Sequence, residues 1–151
     1  MIYNLQGTDL FYKKVSPWWK LWGKVWELQR DSVLYFETED YSFTLELTAG
    51  FRSDGRSGPV FINPFAPKWA DHWYNWAITF HDAGYNDKDG LGIEFNELQD
   101  IFEAILEYSE HKDKARIMSA FTQRFSYSDW TNVDEFDKEN QVFIKYELKY
   151  K

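Results

Sequence analysis

Residues Phe80-His81-Asp82-Ala83-Gly84-Tyr85 set an imidazole, a carboxylate and a phenol within two helical turns of one another, in a chain of 151 residues with three histidines. No cysteine is present, so there is no thiol nucleophile, no thiolate zinc site and no disulfide. Acid–base or metal chemistry therefore falls to His, Asp and Glu. Two roles suit the segment. His81 held by a carboxylate makes an oriented general base, and one histidine with two carboxylates makes a site for a divalent metal.

A helical wheel indicates which carboxylate could serve. Trp69, Trp73, Trp76 and Phe80 recur at spacings of four, three and four, the apolar stripe of a helix packed on a core. At about 100° per residue, His81 and Tyr85 fall in the apolar arc, whereas Asp82 falls with Asp71, Asn75 and Thr79 on the polar side. His81 is expected to point inward and Asp82 toward the edge. An inward imidazole needs a partner, because a buried polar group without one costs roughly 1–3 kcal/mol. The candidates are Asp54, in the loop Gly50-Phe51-Arg52-Ser53-Asp54-Gly55-Arg56-Ser57, and Asp100, on the helix that follows.

Other motifs carry less. The Gly50–Gly55 loop lacks the Lys-Ser/Thr ending of a phosphate loop and has no helix directly after it. Asn86-Asp87-Lys88-Asp89-Gly90 does not fit the twelve-position calcium pattern and is expected to be an interhelical turn. Ser57 has no Gly-x-Ser-x-Gly elbow around it. His72 and His111 are expected at the surface.

The elements that must position these residues change character along the chain. Ser16-Pro17 before Trp18, Trp19, Leu21 and Trp22 predicts a short capped helix. From Lys24 to Thr48, β-branched and aromatic residues alternate with polar ones, as in Tyr41 to Leu47, which predicts two or three antiparallel strands with turns near Gln29 to Ser32 and at Glu39-Asp40. Ala49 to Pro67, with three glycines and three prolines, reads as a structured loop. Helices are expected after Pro67, from about Ile93 to Tyr108, and from about Asp113 to Phe125. Asp129 to Asn140 is an acidic connection, and Gln141 to Tyr150 alternates as a last strand. Strands, then helices, then a strand predict one α+β domain over 1–151, a small antiparallel sheet packed against a layer of about three helices.

Composition narrows the partners. A net charge of −8 with no Lys/Arg cluster argues against nucleic acid, whose phosphates need concentrated positive charge. No run of about 18 apolar residues and no basic-then-apolar leader occurs, so neither a membrane span nor a secretion signal is expected. Aromatics make up 21% of the chain, enough that rings must supply much of the core and can also supply a contact surface.

The loop Ala49 to Ser57 with Pro59, then Phe80-His81-Asp82 with Tyr85, then Asp100 with Phe102, and the helix around Met118, together resemble the phage- and prophage-associated family catalogued as domain of unknown function 1353. That family shows a Gly-Phe-x-Thr/Ser-Asp-Gly-x-Ser loop, a His-Asp-x-x-Tyr helix and an Asp-x-x-Phe helix in this order. The resemblance covers about residues 45 to 125. It leaves 1–26 as a Trp-rich N-terminal extension and 126–151 as a strand-bearing tail. Gly58 and Gly84 depart from the pattern, and Gly84 raises the expectation that the helix ends early. The resemblance implies a phage or prophage origin, in host cytoplasm or virion, and a shared set of Asp54, Ser57, His81, Asp82, Tyr85 and Asp100.

Two functions fit these residues. In the first, a small hydrolase-like protein uses Asp54, His81, Asp82 and Asp100 to activate water, directly or through a divalent metal, on a peptide or phosphoester bond, with Ser57 and Tyr85 binding. In the second, the same residues form a structural network in a virion component or host-factor-binding accessory protein, with Trp18, Trp19 and Trp22 as the contact surface.

Overall fold

The structure, a computed structural model, describes residues 2–15, 25–53, 72–109 and 135–151. The expected helices at Ser16 and at Asp113 to Phe125 lie outside these residues, as do Trp18, Trp19, Trp22, Asp54 and Ser57.

The fold is α+β. One antiparallel sheet has four strands in the order β1 (Tyr3–Gly7), β4 (Ser32–Glu37), β5 (Tyr41–Leu47), β7 (Ile144–Tyr150), and a smaller one has the order β2 (Tyr12–Lys14), β3 (Trp26–Leu28), β6 (Arg52–Ser53). The helices are α1 (His72–Asn86), α2 (Lys88–Leu91), α3 (Phe95–Leu106) and α4 (Glu135–Asn140), the last followed by a 3-10 turn, Gln141–Phe143.

Alternation makes the four-stranded sheet two-faced. Leu34 and Phe36 of β4, and Tyr41, Phe43, Leu45 and Leu47 of β5, are buried on the side that meets the helices. Phe80 of α1 packs against the stacked rings of Phe36 and Phe43, meeting each edge-on with ring centroids 5.9 Å apart, the geometry that ring quadrupoles favour. Two tyrosine hydroxyls tie this face to the helices. Tyr146 of β7 donates to the Ala83 carbonyl of α1 at 2.8 Å, and Tyr41 of β5 donates to Glu97 of α3 at 2.6 Å.

The expected turn at Glu39-Asp40 is present, closed by Thr38, whose hydroxyl accepts from the N–H groups of Asp40 and Tyr41. The strands before it do not form a simple meander. β3 leaves β4 to pair with β2 and β6, so the Gln29 to Ser32 turn passes between two sheets rather than within one. Within the stretch 1–26, β1 and β2 supply an edge strand to each sheet.

Four further expectations are corrected. α1 does not end at Gly84 but continues to Asn86. At Gly84, α2 and α3 pack close against α1, because a Cβ there would lie 2.8 Å from Leu98 Cδ1 and 3.2 Å from Leu91 Cδ2. Asn86 to Gly90 is partly helical: Asp87 caps the single turn α2 by accepting from Gly90 N–H, and Gly92 ends it at φ 73°. The acidic stretch before the last strand forms α4 over its described part. The strand begins at Ile144 rather than Gln141, and Val142 is 76% exposed. Asn140 explains this offset. Its side chain bonds both the N–H and the C=O of Arg52, at 2.8 and 2.7 Å, and holds the chain in a turn before pairing with β5 begins.

Because Gly84 lets α1 and α3 touch, Gly84→Val is expected to destabilise the protein by about 1–3 kcal/mol and Leu98→Ala by about 2–5 kcal/mol. Urea unfolding of the double variant should show a loss smaller than the sum, because the smaller residue vacates the space the larger one invades.

Candidate functional site

α1 is buried around almost its whole circumference, including Asn75, Thr79, His81, Asp82 and Asn86. The expectation that Asp82 lies at the polar edge with Asn75 and Thr79 is therefore corrected. These residues do share a side of the helix, at spacings of four and three, and Asn86 extends the stripe by four more, but the small sheet covers it. Tyr12 of β2 shares a hydrogen bond with Thr79 Oγ1 at 2.9 Å, and Ser53 of β6 donates its hydroxyl to Asp82 Oδ2 in a buried contact. Burial holds the Tyr12 phenol well above its ordinary range, with the Asp82 charge adding to the effect, so Tyr12 remains a neutral partner. The Asn86 carbonyl accepts from Gln141 Nε2 at 2.8 Å, and Asn75 Oδ1 has no hydrogen-bond partner among the described residues.

His81 and Tyr85 occupy the neighbouring side of α1, against α3. As the wheel predicts, His81 points inward, with no exposed surface. Its ring lies 4.5 Å, centroid to centroid, from both Tyr85 and Phe102. At Nε2, 2.7 Å away, stands the side-chain amide of Gln99, which also lies 3.5 Å from the Tyr85 hydroxyl. Two assignments fit this contact: the amide N–H donates to an imidazole protonated at Nδ1, or the amide is turned so that its oxygen accepts from Nε2–H. In both, a neutral group meets Nε2. Burial, opposed only in part by the Gln99 contact, pushes the His81 pKa down to about 3, so the ring is uncharged at neutral pH.

Of the sequence candidates, His81, Asp82 and Tyr85 lie on α1 as expected, and Ser53 from the glycine-rich loop joins Asp82. Asp100 does not join them. It is exposed on α3, while the residue before it reaches the histidine. One residue is about 100° of helix rotation, which separates the buried side of α3 from its solvent side. Gln99 lies three residues before Phe102, about one helical turn, and so shares its buried side of α3, whereas Asp100 does not. Among the described residues, no three His, Asp or Glu side chains come together to hold a metal ion, and no helix is long and apolar enough to cross a membrane. Searches against family models, curated proteins and solved structures find no match to this chain.

A histidine held neutral in the folded protein and free to protonate in the unfolded one makes stability depend on pH. Its folded pKa lies below the ordinary value of 6.5, so between about pH 6.5 and 3 the unfolded state binds the extra proton. Stability therefore falls as pH drops through that window, by about 1.4 kcal/mol per unit at most from this group. Denaturant titrations at a series of pH values should show a shallower fall in His81→Gln than in the wild type.

Proposed function

We propose that this chain is a non-catalytic accessory or virion-type protein in which the His81 and Asp82 networks lock α1 to its neighbours. The observation that carries this reading is the state of His81: enclosed, ring-packed, met at Nε2 by an amide and held uncharged with a pKa near 3. A general base works best with a pKa near the operating pH and must come within hydrogen-bond reach of the proton it takes. The His81 pKa falls well below that range, and the ring has no exposed surface. Asp82 is similarly enclosed, with Ser53 on one carboxylate oxygen, the arrangement of a buried charge satisfied in place rather than one presented to a ligand. The phage attribution rests on the order of the three motifs and their resemblance to the phage-associated family.

The test sets the wild type against His81→Gln, assayed on a chromogenic phosphodiester and on casein with and without Zn²⁺ or Mn²⁺, alongside metal analysis and thermal melts. Expected are no turnover above the blank in either protein, substoichiometric metal in the wild type, and a melting temperature several degrees lower in the variant. Turnover by the wild type that His81→Gln abolishes at an unchanged melting temperature would overturn the proposal in favour of a hydrolase.

A further inference from the structure

The two edges of the four-stranded sheet are built differently. At β1, pairing with β4 breaks register between Tyr3 and Gln6, and Asn4 takes φ 56°. Such an irregularity bends the edge out of line for another strand. At the opposite edge, β7 pairs with β5 without a shift, from Leu47↔Ile144 to Tyr41↔Tyr150. Thr48 N–H donates to the Phe143 carbonyl at 3.0 Å and Lys151 N–H to the Asp40 carbonyl at 2.9 Å. This parity turns the odd-numbered residues of β7 toward β5, so the N–H and C=O groups of Tyr146, Leu148 and Tyr150 project from the free side. Among the described residues, these groups have no hydrogen-bond partner.

A regular open edge accepts another strand, and the side chains of β7 select which one. Lys145, Glu147 and Lys149 alternate in sign and are exposed. When two copies of β7 run antiparallel about a two-fold axis at Leu148, Leu148 pairs with itself, Tyr146 pairs with Tyr150 of the second copy, and Glu147 stands opposite Lys149 of the second copy in both directions. An axis at Glu147 would instead place Glu opposite Glu and Lys145 opposite Lys149, a destabilising arrangement. An axis at Tyr146 would call on the Ile144 N–H, which already donates to the Gln141 carbonyl. In the Leu148 register, Lys145 faces Lys151, but the Lys151 ammonium is drawn away to Tyr3, bonding its hydroxyl and lying 4.6 Å from its ring centroid.

We propose that β7 is a self-association edge through which two copies of this chain join their four-stranded sheets antiparallel about Leu148. A single strand pair is a small contact, so a weak dimer is expected, with Kd between roughly 10 and 500 µM.

Sedimentation equilibrium of the full chain at low salt, from about 10 µM to about 1 mM, tests this. Expected is a monomer–dimer equilibrium that Tyr150→Pro weakens at least tenfold, since proline removes an N–H on the free side and none that bonds β5. Glu147→Lys should weaken it as well, and adding Lys149→Glu should restore it to within about threefold of the wild type. If Tyr150→Pro loses the native circular dichroism spectrum, the charge swap decides. A protein that stays monomeric throughout, or a dimer unmoved by Glu147→Lys, overturns the proposal.

Discussion

α1 carries a set of polar side chains inside the protein, and Thr79, His81 and Asp82 are met there by neighbouring elements. The helix carries Asn75, Thr79, Asp82 and Asn86 along one side and His81 along the next, all buried. An unmet polar group costs about 1–3 kcal/mol, and an unmet charge costs more. The small sheet answers this need. Tyr12 and Ser53 reach Thr79 and Asp82 from two different strands, and Asn140 joins β6 to α4 through both backbone groups of Arg52. Short-stranded, this sheet adds Leu28 to the core and meets α1 through the Tyr12 and Ser53 hydroxyls.

The opposite side of α1 is apolar and is held by shape. Phe80 sits edge-on against the stacked Phe36 and Phe43 rings, Trp76 donates its indole N–H to the Thr8 carbonyl at 2.7 Å, and Gly84 lets Leu98 come close. Where α1 meets α3, the imidazole contacts a neutral amide. A buried imidazolium–carboxylate pair would have to offset the desolvation of two charges and is often no more stabilising than a neutral contact of similar shape. The Gln99 contact avoids that cost, and the weak basicity that burial leaves His81 is what argues for a structural role.

The sheet edges carry a different constraint. A strand that ends a sheet exposes backbone groups that can template another chain. β1 is irregular where β7 is regular, so the likelihood of pairing differs between the two sides of the same sheet, and the alternating charges of β7 determine which register a second copy can adopt.

Periodicity alone located β4, β5, the body of β7, α3 and the Trp76–Phe80 face of α1, because a strand or helix with one wet side writes its period into the sequence. The α+β class and the inward direction of His81 followed from the same signal. Periodicity marks which side is polar and not whether that side is wet, so the buried stripe of Asn75, Thr79 and Asp82 became legible only with the small sheet in place above it. The departure of β3 from β4, the turn that Asn140 holds before β7 and the choice of Gln99 over Asp100 depend on contacts between residues distant in the chain. The sequence by itself determined the longer periodic elements, β4, β5, the body of β7, α1 and α3, and their apolar faces, which are local properties of side-chain spacing. Tertiary structure decided which polar groups meet, because a hydrogen bond depends on the position and direction of both partners, and local pattern specifies only one of them.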